Sequence, residues 1–240
     1  MIDTHAHLDA LDEDPAAAVT RARVAGVSRI LTIGTEQAVA LADAHDGVYA
    51  VVGIHPHEAG EEHDLEFVRA LLAHPKAVAV GEIGLDHFRD YAPREAQRQL
   101  FERQLELAGE LGKPVVVHTR AADEVTASTL AGFGGTVVMH CFSSPHLLPT
   151  ALERGYYVSF AGNVTYKNAT DLRLAATQVP PDRLLAETDC PYLAPQPVRG
   201  RKNEPAYVMH TLAELARVRG VDQAELEAQI ERNASACFGL

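Results

Sequence analysis

Hydrophobic positions along the chain fall into two alternating patterns. Short runs dense in Val, Ile, Leu and Ala are followed by longer stretches in which apolar residues return every three or four positions. The short runs are residues 1–8 (MIDTHAHL), 28–34 (SRILTIG), 48–54 (VYAVVGI), 77–83 (AVAVGEI), 114–119 (PVVVHT), 135–140 (GTVVMH), 156–161 (YYVSFA) and 183–189 (RLLAETD). Near-continuous apolar runs of this length suit parallel strands buried on both faces. The longer stretches predict helices over residues 14–26, 36–44, 62–73, 93–112, 122–131, 146–154, 168–177, 204–218 and 222–235. In the first of these, Asp14 is placed to cap the N-terminus, Pro15 opens the first turn and Gly26 lies past the end. In the stretch 93–112, Leu100, Gln104, Leu107 and Leu111 share one stripe and Gly112 follows as the C-cap.

Strands and helices alternating in this way predict an α/β fold, a (β/α)8 TIM barrel, as a single domain over residues 1–240. The alternative is an open doubly wound sheet. That fold wants a Gly-rich phosphate turn after an early strand, and the sequence has no G-x-G-x-x-G.

Charge narrows the partners. The chain has 21 Lys and Arg against 33 Asp and Glu, a net charge of −12. A protein held to nucleic acid by bulk attraction to phosphate is basic. If this one acts on phosphates, the positive charge must come from a small site or from bound cations. At 47% hydrophobic and 22% charged residues the composition is that of an ordinary globular protein, able to bury a core without disulfides. The three cysteines, Cys141, Cys190 and Cys237, are odd in number and lack C-x-x-C spacing, which predicts a reducing compartment. No segment has the order of a signal peptide, and no apolar run approaches the roughly 18–20 residues that span a bilayer. The expectation is a cytoplasmic protein with no membrane partner, compact enough to stand as a monomer.

Candidate chemistry collects at the ends of the predicted strands. His5 and His7 end the first, His55 the third, Glu82 the fourth, His118 the fifth, His140 the sixth, and Glu187 and Asp189 the eighth. In a barrel these ends meet at one mouth, where such enzymes keep their active sites. A single His in an apolar run is ordinarily a hydrogen-bonded core residue. Here His5 and His7, two apart in a strand, point to the same side and form a chelating pair. A buried acid cluster with no compensating cation would cost several kcal/mol per charge. Divalent metals resolve this, and a mixed His and carboxylate set suits Zn, Mn, Mg, Co or Ni at a catalytic site. Cys141 and Cys190 each follow a candidate ligand directly. By strand alternation their thiols face away from the metals, as small core residues.

Eight motifs occur in order: IDTHAHLD at the start, GIHPH at 53–57, VGEIGLD at 80–86, PVVVHTR at 114–120, MHCFS at 139–143, VSFAGNVTYK at 158–167, LLAETDCPYLAP at 184–195 and RGRKNEP at 199–205. In these the chain resembles, over its whole length, the TatD family of metal-dependent hydrolases among the amidohydrolase-like barrels. The resemblance implies one metal on His5, His7, Glu82 and Asp189 and a second on Glu82, His118 and His140, with Glu82 bridging. It also implies a DNase or exonuclease acting on DNA or another phosphodiester. Glu82 and Asp189 are then the catalytic carboxylates, Asp189 both ligand and proton shuttle for the attacking water.

Further residues are candidates to grip the substrate. His55 ends the third strand, Arg120 follows His118 by two, Asn163 lies in FAGNV, and Arg201 lies with Arg199 and Lys202 in a Gly-containing loop after the eighth strand. A surface salt bridge for Arg120, a turn for Asn163 and a solvated loop for Arg201 are the plainer alternatives. Glu204 is expected to cap the helix that Pro205 opens, rather than to orient an Arg. His87 stands where the family more often has an aromatic residue. His57 and His63 have no assigned role. Asp3 should hydrogen-bond behind the ligands rather than join them.

Two other functions fit the same residues: hydrolysis of a small amide, ester or lactone on the same metal pair, and a non-catalytic metal-binding scaffold. Related barrels that cleave C–N bonds often bridge their metals with a carbamylated Lys on the fourth strand. The fourth run here carries Glu82 and no Lys, which favours the phosphodiesterase reading.

Overall fold

The computed structural model describes residues 1–89 and 91–240. Its eight strands are β1 (Ile2–Ala6), β2 (Arg29–Gly34), β3 (Val48–Val52), β4 (Ala77–Asp86), β5 (Val115–Arg120), β6 (Val137–Met139), β7 (Tyr157–Phe160) and β8 (Leu184–Ala186). They form one sheet in the order β1 to β8, every neighbouring pair parallel. Between β8 and β1 a parallel bridge joins Ala6 and Cys190. His7 N donates to Cys190 O at 2.8 Å and Asp189 N to His5 O at 2.9 Å. The sheet therefore curls back on itself as the (β/α)8 barrel that the alternation predicts.

The helices are α1 (Pro15–Val24), α2 (Glu36–Ala44), α3 (Leu65–Leu72), α4 (Arg94–Leu111), α5 (Asp123–Leu130), α6 (Leu148–Glu153), α7 (Thr170–Gln178), α8 (Val208–Arg219) and α9 (Gln223–Phe238). Their ends follow the sequence signals. Asp14 accepts from Ala16 N at the start of α1, and Gly112 closes α4 at φ 63°. No helix of the described residues is long and apolar enough to cross a membrane. Glu204 departs from expectation. Its side chain caps nothing and instead accepts from Arg21 Nε of α1 at 2.7 Å. Its Oε2 meets both Nε and Nη2 of Arg21, a charge-assisted pairing with a full positive charge.

Helix α4 shows how packing positions the site. Gln97 and Gln104 lie on its buried face, where a polar side chain must find partners. Gln104 bonds both the N–H and the C=O of Ile54, just after β3. Gln97 does the same for Asp86 at the end of β4, and also donates to Ala92 O. Two amides on one helix thus fix the two chain segments that carry His55 and Asp86. At β4 the register with β5 slips between Gly81 and Ile83, leaving Glu82 on the bulge. Bulges re-aim a side chain at a barrel rim. Gly84, at φ 137°, pairs with His118, and a Cβ there would lie 2.0 Å from His118 O. Only glycine lets β4 and β5 approach this closely beside the two candidate ligands.

Candidate metal centre

The C-terminal ends of the strands open into a cavity of about 1070 Å³. Glu82 is buried at its floor and has one oxygen for each of two groups of imidazoles. Its Oε2 lies 3.3 Å from His5 Nε2 and 3.6 Å from His7 Nε2. Its Oε1 lies 2.7 Å from His118 Nδ1, 3.1 Å from His140 Nε2 and 3.4 Å from His55 Nε2. Asp189 completes the first group, its Oδ1 3.5 Å from His7 Nε2 and 3.8 Å from His5 Nε2.

These separations fit a cation. Tetrahedral ligands at roughly 2.0–2.1 Å from a metal stand about 3.4 Å apart, and the His5 and His7 nitrogens lie 3.3–3.8 Å from the nearest oxygens of Glu82 and Asp189. The Nε2 atoms of His5 and His7 themselves face each other at 3.3 Å. His5, His7 and Glu82 form one set within mutual reach, His5, His140 and Asp189 another, and His55, Glu82 and His118 a third. The third set brings His55, expected from sequence to grip phosphate, in among the ligands.

Electrostatics divide the candidate donors: burial lowers His7, His118 and His140, but the carboxylates beside them (Asp189, Asp86, Glu82 and Glu187) outweigh it and raise all three, whereas His5 goes the other way. Burial, with the neighbouring His140 next, pushes His5 down to about 3, so its imidazole is neutral and has a lone pair to give. Burial alone would raise Glu82. The imidazoles of His140, His55 and His118 outweigh it and hold the carboxyl well below the usual range. Glu82 is therefore a carboxylate with both oxygens available.

Behind the ligands stand partners that orient them. Asp3 accepts from Thr188 N and Thr188 Oγ1, at 2.8 and 2.6 Å, and from His5 N at 3.3 Å. It joins no ligand set, which matches its expected supporting place. Glu187 Oε1 lies 2.9 Å from His140 Nδ1 and accepts from Cys141 N at 2.8 Å. Asp86 Oδ2 lies 2.8 Å from His57 Nε2 and 3.4 Å from His118 Nε2, while Oδ1 accepts from Phe88 N and Arg89 N. A carboxylate behind a ligating imidazole fixes its ring orientation and tautomer. The sequence reading left His57 without a role and passed over Asp86. The signal was present: Glu82, Gly84 and Asp86 alternate along β4, so Asp86 faces the same way as Glu82.

Cys141 corrects an expectation. It lies beyond β6, at φ 44°, half-buried, and it lines the mouth. Its thiol falls within reach of His140 and Glu187. Strand alternation does not apply to a residue in the left-handed region, which turns the side chain toward the cavity instead of the core. Cys190 is fully buried, as expected. Asp189 also sits past its strand, at φ 55°. A non-glycine residue there carries about 1–2 kcal/mol of strain, and the bonds between residues 189–190 and 5–7 hold it in place.

The remaining candidates divide. Asn163 and Arg120 line the cavity. Asn163 Nδ2 donates to Ser143 Oγ at 3.0 Å, and its Oδ1 has no partner. The Arg120 guanidinium lies 4.1 Å from the Phe88 ring centroid. Arg201 is exposed on the loop after β8 and is not among the lining residues. On the same loop Lys202 pairs with Asp12, and Arg199 lies over Tyr166.

Known proteins resemble this chain over nearly its whole length. The family model for TatD-related DNases matches residues 2–239. The metal-dependent hydrolase YabD of Bacillus subtilis is 37% identical over 253 aligned positions, which cover 100% of this chain and 99% of YabD. A protein of Enterobacter lignolyticus named 3′-5′ ssDNA/RNA exonuclease TatD is 36% identical, over 95% of this chain and 94% of its own. The crystal structure of YJJV, a TatD homologue from Escherichia coli K12, superposes with a TM-score of 0.93 at 31% identity, covering 100% of this chain and 98% of the other. An eight-stranded parallel barrel, its mouth lined by histidines about a shared carboxylate, thus accompanies a family match over nearly every residue: the chain belongs to the TatD family of metal-dependent hydrolases.

Proposed function

We propose that this chain hydrolyses phosphodiester bonds of nucleic acid, on two divalent cations held at the barrel mouth. The observation that carries the reading is the Glu82 carboxylate, with Oε2 facing His5 and His7 and Oε1 facing His118, His140 and His55. His5, His7, Glu82 and Asp189 would hold one cation, and Glu82, His118 and His140, joined by His55, the other. Zn, Mn, Mg, Co and Ni all suit such a donor set. Bound there, the cations supply positive charge against the phosphate and make a water acidic enough to attack at neutral pH.

The chain's own residues do the rest. Asp189 stands at the open side of its group, its side chain 13% exposed, so Oδ can hydrogen-bond a water and take its proton. Arg120 and Asn163 line the same cavity and offer N–H donors to phosphate oxygens. The net charge of −12 leaves the positive charge for substrate local to this mouth. Relatives named as single-stranded DNA and RNA exonucleases support nucleic acid as the substrate. All candidate ligands come from one chain, so a monomer suffices.

The test is to incubate purified protein with end-labelled single-stranded and duplex oligonucleotides, each with Mg, Mn or Zn, with Asp189→Asn as control. Metal-dependent cleavage by the wild type, lost on chelation and in Asp189→Asn, is expected. Turnover of a lactone or amide with no cleavage of any nucleic acid would overturn the reading.

A further inference from the structure

Aromatic side chains on a protein surface expose apolar area that folding would rather bury. Among the described residues four aromatics are exposed, Phe67, Phe88, Tyr91 and Tyr192; Tyr91 and Tyr192 line the mouth, and Phe88 stacks on Arg120, which lines it too. Tyr192, 57% exposed, sets its ring edge-to-face against that of His7, with centroids 5.9 Å apart. Phe88, 63% exposed, carries the Arg120 guanidinium over one face. Tyr91, 65% exposed, stands against His57 with centroids 4.8 Å apart. Each ring is thus held by a residue of the candidate centre or its support, and none is needed by the core.

A protein of net charge −12 cannot gather a polyanion by bulk attraction. Stacking of bases on aromatic rings needs no net charge, and every base offers a ring face. We infer that Tyr192, Phe88 and Tyr91 are base-stacking platforms that hold the unpaired bases on either side of the phosphate at the metal centre. Tyr192 takes the base on the His7 side. Phe88, with Arg120 layered on it, and Tyr91 take bases on the side of His57 and His118. In a duplex the base faces are already stacked on one another, so these platforms select single strands and frayed ends. The inference rests on the nucleic-acid reading above and adds to it which residues read the bases.

The experiment compares steady-state cleavage of a single-stranded oligonucleotide with cleavage of an abasic oligomer of the same length, which keeps the phosphates and loses the bases. Variants are Tyr192→Ala, Phe88→Ala and Tyr192→Phe. A stacked base is expected to be worth about five- to a hundredfold in KM. Tyr192→Ala and Phe88→Ala should each raise KM for the natural oligomer by such a factor with kcat little changed, and Tyr192→Phe should restore it. On the abasic oligomer wild type and alanine variants should share one high KM. The inference falls if KM for the natural oligomer is unmoved, or if the alanine variants raise KM equally on both oligomers. If wild type cleaves neither oligomer, the nucleic-acid reading fails and the inference fails with it. If wild type cleaves both with equal KM, only the stacking inference fails.

Discussion

The two ends of this barrel carry cavities of nearly equal size and opposite chemistry. The mouth encloses about 1070 Å³ and the opposite end about 1010 Å³, among the starts of β5 to β8. At that far end every cation has a fixed partner. Lys113 Nζ donates to Ala77 O, Arg154 to Ala131 O and Arg183 to Gly155 O. Further round, the buried amino group of Met1 pairs with Glu227 and Glu231 of α9, and Glu231 pairs with Arg29 of β2. At the mouth, His5 Nδ1 and Glu187 Oε2 are buried with no hydrogen-bond partner, and Asp189 and Cys141 sit at positive φ. Size does not distinguish a site from a clasp. Strained backbone with unpartnered histidine and carboxylate atoms at one end, against cations settled on backbone oxygens at the other, does.

The largest expected effect lies where both candidate cation sites share one residue. Glu82→Ala should abolish turnover and empty the centre of metal. The loss should exceed the roughly 10- to 100-fold that removal of a supporting partner costs. Metal content by mass spectrometry, alongside cleavage, checks it. Retention of two ions per chain in Glu82→Ala would show that the carboxylate does not bridge.

Next come the carboxylates that hold ligands from behind. Asp86→Asn and Glu187→Gln keep size and lose charge. Each should weaken metal affinity or turnover about 10- to 100-fold while KM for substrate stays level. The effect of Asp86→Asn should pass through His118 and His57, and that of Glu187→Gln through His140. Titration of activity against metal concentration separates weaker metal binding from slower chemistry. An unchanged metal dependence in both would place these carboxylates with the clasp at the other end.

How much of this was legible beforehand follows the same division. The eight strands and their order could be read because buried parallel strands write themselves as apolar runs, and helix ends as Asp14 and Gly112. The six candidate ligands could be read because each lies at or just past the end of an apolar run, where only function or a buried partner explains it. What lay between elements could not be read. Cys141 turned toward the cavity because its backbone leaves the extended region. Asp86 reached His57 across 29 residues of sequence, and Glu204 preferred Arg21 across 183. Such pairings depend on which loops come together, and local pattern is silent about that. The histidine at the end of β3 was visible as a candidate, yet its place beside Glu82 and His118 emerged only with the fold.

At the opposite end the expected effects change kind. Glu231→Ala removes one partner of Arg29 and one of the Met1 amino group, whose other carboxylate, Glu227, remains. Glu231 and Arg29 are partly exposed, and the buried Met1 amino group keeps Glu227 and Gly26 O, so the loss should stay at about 1 kcal/mol. In a chain of this length that lowers Tm by about 2–4 °C. Thermal unfolding should shift while kcat and KM hold. A fall in kcat without a fall in Tm would mean that the clasp reaches the mouth through β1, which carries His5.

The smallest effect is expected from Glu204→Ala. Glu204 lies on the loop between β8 and α8, the loop that bears Arg201, and it ties that loop to Arg21 of α1. Arg21 keeps Glu13 as a second partner, so little charge is stranded and the cost should be about 0.5 kcal/mol or less. Tm should fall by about 1–2 °C. The informative number is kcat/KM on a single-stranded oligonucleotide. Arg201 stands outside the cavity lining, and freeing its loop should leave kcat/KM unchanged. A drop of several-fold would show that the loop must be held in place for substrate to bind, and would move Arg201 from the surface into the working end of the barrel.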